Sequence, residues 1–374
     1  MHILLVPDSF KDSISATAII AQLEQGFANL DASITTEHCI ASDGGEGFLD
    51  FVKRYREVTM ISVNTIDPLG RDIVADYAFA KASQTAYIEL ATASGLELLA
   101  NSERNPLKTS TYGTGLQIKD AIEKGCKEIF VGLGGSATND GGTGIASALG
   151  YDFLDNNDQS ITPKGNTLCH IDHIVKPKLQ LPKIVAVNDV DNPLTGLQGA
   201  AYTYAKQKGA TPQDIIVLDT GLEHLATRVK KELAINAVNT AGAGAAGGTA
   251  YGLRVFCNAS FVRGVHFLAS LSGIEERLAA GSIDLIVTGE GSIDAQTRRG
   301  KLVKGIAALG SRYDIPVVAI CGVNRLDETA TIALGLNKVF TVSDLALSKE
   351  DSIANAGHYI KQLSSVIYKS GLRS

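Results

Sequence analysis

The chain alternates short apolar runs with longer stretches in which apolar residues recur every three or four positions. Ile3-Leu4-Leu5-Val6 is the first run, closed by Pro7, and it predicts a buried strand. Residues 15–30 follow as a helix with Ile19, Ile20, Leu23 and Phe27 on one face. A second strand is expected over 34–40 and a short helix over 48–55. The style then changes. Residues 58–66 and 72–79 read as strands joined by Asp67-Pro68-Leu69-Gly70, a turn sequence, and 86–90 reads as another. Together they suggest a hairpin-rich module inserted between α/β units. The rhythm returns with a helix over 112–124, a strand over 128–131, a glycine loop and a helix over 143–150. The middle, 151–281, is mixed, with a strand over 183–187 and helices near 198–208 and 219–234. The end is regular: strands over 284–288, 316–320 and 339–342, and a helix over 301–311. One last helix runs from Glu350, with Ser348 and Asp351 as a capping box.

This alternation predicts an α/β protein with a largely parallel sheet. Its 374 residues allow two domains. Hydrophobic residues at 45% and charged residues at 20% fit a globular chain and exclude disorder. The net charge of −6, with no basic stripe, argues against a nucleic-acid partner. Five cysteines stand singly, which reads as reduced thiols in the cytoplasm. No apolar stretch is long enough to span a membrane, and the first residues lack the features of a signal peptide.

Glycine is in excess, at 38 residues, with only 9 prolines and no G-X-Y period. The glycines cluster at 44–47, 132–142, 242–248 and 289–291. Most clusters follow an expected strand and also hold Asp, Glu, Ser or Thr. In an open parallel sheet such loops share the carboxyl edge, where ligands bind. Glycine lets backbone N–H groups approach an anion there, so a phosphate and metal site is expected. Gly132-x-Gly134-x-x-Ala137 and Gly242-x-Gly244-x-x-Gly247 also fit a dinucleotide fingerprint, which keeps a nicotinamide dehydrogenase as the alternative; a non-catalytic sensor is a third class. A P-loop reading of 291–301 fails, because Ala295 and Leu302 stand where glycine and Ser/Thr are needed. Asp8, Asp43, Glu46, Asp140, Asp189, Asp191, Glu290 and Asp294 lie beside these runs, and Lys11, Arg71 and Lys301 add cations. Phosphoryl transfer from ATP needs this inventory: N–H groups and cations for phosphate, oxygen ligands for Mg²⁺, and a carboxylate for the acceptor's proton.

Those residues carry a resemblance. Pro7-Asp8-Ser9-Phe10-Lys11, Ser42-Asp43-Gly44-Gly45-Glu46-Gly47 and Asp67-Pro68-Leu69-Gly70-Arg71 resemble the opening motifs of the type-1 glycerate kinase family. Gly134-Gly135-Ser136-Ala137-Thr138-Asn139-Asp140-Gly141-Gly142, Asp189-Val190-Asp191-Asn192-Pro193-Leu194 and Thr288-Gly289-Glu290-Gly291 continue it in order. The chain departs from the family at Ser292, where arginine is usual, and at Asp12, Asn188, Ala241 and Ala295. The resemblance implies a Rossmann-like three-layer α/β domain joined to a second, discontinuous α/β domain that swivels against it. The expected division assigns 1–60, 104–150 and 282–374 to the first, and 61–103 and 151–281 to the second. It also implies ATP- and Mg²⁺-dependent phosphorylation of D-glycerate, with 2-phosphoglycerate favoured over 3-phosphoglycerate, in organic acid catabolism. Expected roles follow. Asp189 or Asp191 is the base, and Lys11 neutralises charge. Gly134, Gly135, Ser136, Thr138, Asn139, Gly289 and Gly291 hold the nucleotide. Asp8, Ser9, Arg71 and Asn192 hold D-glycerate, and Asp43, Glu46 and Asp294 hold the metal. A homo-oligomer is compatible with this reading.

Overall fold

The computed structural model describes residues 1–10, 13–40, 47–294, 297 and 302–371. In chain order its strands are β1 (His2–Pro7), β2 (Thr35–His38), β3 (Thr59–Ile66), β4 (Asp72–Ala80), β5 (Thr85–Glu89) and β6 (Glu128–Gly132). Then come β7 (Asp152–Leu154), β8 (His173–Val175), β9 (Lys183–Val187), β10 (Ser260–Val262), β11 (Leu285–Ile293), β12 (Val317–Asn324) and β13 (Lys338–Thr341). The chain forms two compact units, one of Met1–Ser42 with Val265–Ser374, the other of Asp43–Gly264.

The first unit is built on a five-stranded parallel sheet in the order β13-β12-β11-β1-β2. Ile3, Leu5, Leu285, Val287, Val318 and Ile320 share a core with Ile19, Leu23, Phe27, Ile360 and Leu363. Alternate residues such as Leu4, Val6 and Ile286 point to the other face and are buried as well. Burial on both faces is why these strands read as unbroken apolar runs. Helix Ala16–Leu30 begins where the Ser15 side chain accepts from the Ala18 N–H. It packs so closely on helix Ala356–Lys369 that a Cβ at Gly26 would lie 2.2 Å from Ser364 Oγ. The expected single final helix is two, Lys349–Ala354 and Ala356–Lys369, because Asn355 leaves helical geometry at φ −112° and ψ 22°.

The second unit holds a six-stranded mixed sheet in the order β10-β9-β6-β5-β4-β3, plus the small antiparallel pair β7-β8. β5, β6, β9 and β10 run parallel, while β3, β4 and β5 are antiparallel neighbours. The hairpin segments are thus the edge of this sheet rather than a separate insertion. The domain division also changes. The stretch 104–150 belongs with the second unit, because Glu128–Gly132 pairs with β5 on one side and β9 on the other. Residues 43–60 join the same unit. Helix Phe48–Tyr55 is tied to β5 there, its Leu49 N–H donating to Glu89 at 3.1 Å. Sequence rhythm reported the α/β units correctly but not which sheet each strand joins, since pairing partners lie far apart along the chain. No helix of the described residues is long and apolar enough to cross a membrane.

Candidate active site

In the second unit β6 and β9 lie side by side, with Gly132 opposite Val187. Their carboxyl ends release the two stretches the sequence singled out, 133–142 and 188–192. The first is pinned on both flanks. Leu133 N–H donates to Val187 O at 3.1 Å, Leu96 N–H to Gly135 O at 2.8 Å, and Ala137 N–H to Ser94 O at 2.9 Å. Gly135 sits at φ +69°, a left-handed position that a side chain would strain. Between the stretches lies a pocket of about 300 Å³. Gly134, Gly135, Ser136, Asn188, Asp189 and Lys208 line it, with Leu96, Tyr204 and Gln207 among the walls.

Asp189 is fixed by the backbone N–H of Gly264, which donates to Oδ1 at 2.8 Å. Asp191 does not line the pocket; it pairs with Arg263 at 2.7 Å, and both are roughly two-fifths exposed. Asn192 turns into its own loop, donating to Gln198 O at 2.7 Å and accepting from Tyr204 Oη at 2.7 Å. Of the three residues, only Asp189 is presented to the cavity.

Asp140 ends the first stretch and is fully buried. Its carboxylate accepts from Thr111 N and Oγ1 at 2.8 Å each, from Gly142 N at 3.1 Å and from Gly144 N at 3.2 Å. Burial pushes this carboxyl above its usual range, and the donors pull it back. Asp140 therefore organises the loop instead of meeting a ligand.

Lys208 was not anticipated. It ends the 3₁₀ turn Lys206–Lys208 and is 2% exposed. Its Nζ donates to Ser136 Oγ at 2.7 Å and to Thr138 O at 2.6 Å. Burial pushes the ammonium down to about 7, while the Asp140 carboxylate opposes that fall. Gly209 makes the placement possible. It sits at φ +94°, where a Cβ would lie 2.1 Å from Arg104 O. The clue in the sequence was spacing: Ala201, Ala205 and Lys208 fall at i, i+4 and i+7, one face of the segment, and Ala201 and Ala205 are fully buried.

Other expected residues fare differently. Thr138 and Asn139 are fully buried beneath the loop and do not line the pocket. Both polar ends of the Asn139 side chain lack hydrogen-bond partners among the described residues. Of the 242–248 glycines, Gly247 and Gly248 meet the backbone of this loop, since a Cβ at Gly247 would lie 2.0 Å from Thr138 O, while one at Gly244 would lie 2.3 Å from Pro193 O. They serve close packing, as does Gly252, 2.3 Å by the same measure from Gly141 O. The dinucleotide fingerprint at 132–137 also loses its context, because the next helix starts only at Thr143. Arg71 is held by Asp67 and Glu103, which raise its pKa further, and it does not line the pocket.

In the first unit, β1 and β11 are adjacent although the chain runs outward from them in opposite directions, a topological switch point. Asp8 and Ser9 sit at its carboxyl edge, where Asp8 N–H donates to Gly289 O at 2.8 Å. Gly289 and Gly291 are strand residues of β11 rather than a loop. A Cβ at Gly289 would stand 2.3 Å from Ile320 O on β12, which explains the glycine. Ser292 follows in the strand, its Oγ buried with no partner among the described residues. At the strand's end Thr297 Oγ1 donates to Glu290 Oε1 at 2.6 Å and accepts from Asp294 N at 3.1 Å.

No group of three His, Cys, Asp or Glu side chains suited to a metal occurs among the described residues. Mg²⁺ asks for less, one or two carboxylates with water and phosphate oxygens completing the shell. Glu290, which accepts from the Thr297 hydroxyl, and Asp294, whose backbone N–H donates to that same hydroxyl, are two carboxylates of that donor chemistry. Lys11, Asp43 and Glu46 lie outside the described residues, as do Arg298, Arg299 and Lys301.

A sequence profile described as the Glycerate kinase family matches residues 3–370. The chain is 36% identical to "Glycerate kinase" of Bacillus subtilis (strain 168) over 366 residues, 97% of this chain and 95% of that one. It is 36% identical to "Glycerate 2-kinase" of Escherichia coli (strain K12), covering 91% of this chain and 90% of that one. A crystal structure from Salmonella typhimurium LT2, of a protein assigned as glycerate kinase 2, superposes with a TM-score of 0.78 at 35% identity, covering 99% of both chains.

Proposed function

The chain belongs to the glycerate kinase family, a group of phosphotransferases, and from that premise we propose that it phosphorylates D-glycerate with ATP and Mg²⁺. The observation that carries the acceptor site is one small pocket, at the carboxyl ends of β6 and β9, lined by Asp189, Lys208 and the Gly134-Gly135-Ser136 backbone. A three-carbon hydroxy acid suits a pocket of about 300 Å³. Asp189 is the group that accepts the proton of the attacking hydroxyl, because its carboxylate is oriented by Gly264 and open to the cavity. The deprotonating oxygen bonds to the γ-phosphorus of ATP as the bond to the bridging oxygen breaks, releasing ADP. Gly134 and Gly135 bring backbone alone to the pocket edge, which leaves room for the incoming phosphoryl group. A bound Mg²⁺, held by Glu290 and Asp294, would neutralise phosphate charge.

The name of the Escherichia coli relative favours 2-phosphoglycerate as the product, and a role in organic acid breakdown in the cytoplasm follows from the same reading. The test is an ATP-consumption assay with D-glycerate and Mg²⁺, read with phosphorus NMR. Asp189→Asn should lower kcat roughly 10²–10⁴-fold and leave ATP affinity within about threefold, the range for loss of a general base. Turnover within tenfold of the wild type would remove Asp189 from this role.

A further inference from the structure

We infer that Lys208 binds the carboxylate of the acceptor substrate and so makes the enzyme selective for an acid over a neutral polyol or amide. The inference rests on the function proposed above and deepens it by naming the selecting residue.

An ammonium carries three donors. Two are spent within the protein, on Ser136 Oγ and Thr138 O. The third has no partner among the described residues, and Lys208 lines the pocket. A cation this deeply buried is costly unless an anion meets it. Asp140 is the nearby carboxylate, but its four bonds go to Thr111, Gly142 and Gly144 and none to Lys208. The position therefore holds an ammonium at the wall of a cavity with no carboxylate bonded to it among the described residues.

The ligand chemistry follows from the surroundings. Leu96, Leu133, Val190, Ala245 and Ala246 give the pocket apolar walls, so an ion pair inside is weakly screened. Asp189 shares the cavity and disfavours a multiply charged phosphate chain at depth. A singly charged carboxylate with a neighbouring hydroxyl satisfies both groups, the carboxylate on Lys208 and the hydroxyl toward Asp189. Arg71, the cation the sequence suggested for this task, is already occupied by Asp67 and Glu103.

The test compares D-glycerate with D-glyceramide, which keeps the shape and hydroxyls but lacks the charge. Lys208→Met should raise KM for D-glycerate about 100-fold, change kcat/KM for D-glyceramide less than threefold, and leave KM for ATP within threefold. Equal losses on both acceptors would overturn the inference in favour of a packing role. A raised KM for ATP with acid selectivity retained would overturn it in favour of a phosphate contact. A second measurement uses the wild-type enzyme, in case the variant does not fold. Asp140, Asp189 and Tyr204 are the other titratable groups around Lys208. Calorimetry should show D-glycerate binding at least tenfold tighter than D-glyceramide, as a charge-assisted contact between the carboxylate and the Lys208 ammonium requires. Equal affinities for the two acceptors would overturn it. If the wild-type enzyme consumes no ATP with D-glycerate, the function reading itself falls, and the carboxylate anchor with it.

Discussion

After β6 the chain leaves its sheet at once and wraps a pocket; after Thr288 it stays in its sheet through Ile293. Both stretches are rich in glycine and both hold a carboxylate, yet the glycines answer different demands. Gly135 is needed for its left-handed φ, whereas Gly289 is needed because β12 runs too close for a Cβ. The carboxylates differ too. Asp140 is buried and saturated with donors, while Glu290 and Asp294 are only half-buried at a strand end, Glu290 accepting from the Thr297 hydroxyl. Glycine beside acid is therefore a composition that two structures share, and burial separates scaffold from candidate ligand.

The sharpest way to break this contrast is to remove both kinds of carboxylate. Asp140→Ala should cost about 3–5 kcal/mol, because four buried donors lose their acceptor. Asp294→Ala should cost about 1 kcal/mol or less. Urea unfolding of the two variants measures the gap, and equal losses would erase the distinction.

Lys208 sharpens the same side of the comparison through pH. Its folded pKa, about 7, lies below the ordinary 10.5 of the unfolded chain. Between those values the unfolded state binds more protons, so stability from this group rises with pH and is lost as pH falls through 7. The wild type should gain about 2–3 kcal/mol over Lys208→Met from pH 7 to pH 9. Chemical denaturation at the two pH values reads this directly, and a parallel pH response in both proteins would contradict it.

The glycines give a third, smaller contrast. Gly289→Ala should destabilise by about 2 kcal/mol, since backbone has to move. Gly135→Ala should cost about 1 kcal/mol in stability but lower turnover further, because it reshapes the pocket edge. Thermal melts beside kcat separate the two. Smallest of all, Arg71→Ala should lose about 1 kcal/mol or less and shift KM for D-glycerate less than threefold, as a half-exposed ion pair outside the pocket lining should. A tenfold rise in KM would restore Arg71 to the substrate.

Much of the fold was legible, for local reasons. Helix Phe48–Tyr55 and strand Lys183–Val187 fall where periodicity put them, since burial of one face or of both leaves a mark on neighbouring residues. Sheet membership left no such mark, and 104–150 was assigned to the wrong unit. At the candidate site, Asp189 and Gly134-Gly135-Ser136 were readable as cavity-lining positions, though not in their roles, because polar residues in a glycine loop after a strand have few structural uses. Thr138 and Asn139 look the same in sequence but lie beneath the loop, and nothing local tells above from below. Lys208 was overlooked because lysine is ordinarily a surface residue; its alanine neighbours one turn apart held the contrary signal.

The contact between the 138–142 and 247–252 backbones has a consequence for how the enzyme can change. Where glycines of two segments touch, no side chain is left to trim or enlarge. This packed contact beneath the loop is thus closed to gradual variation, and a substitution there perturbs both segments together. New acceptor preferences have to arise from the walls, at Leu96, Tyr204 and Gln207, where single replacements alter shape without touching the support below. A mutant library aimed at those three positions would retain folded members, while one aimed at the glycine contact would be mostly lost.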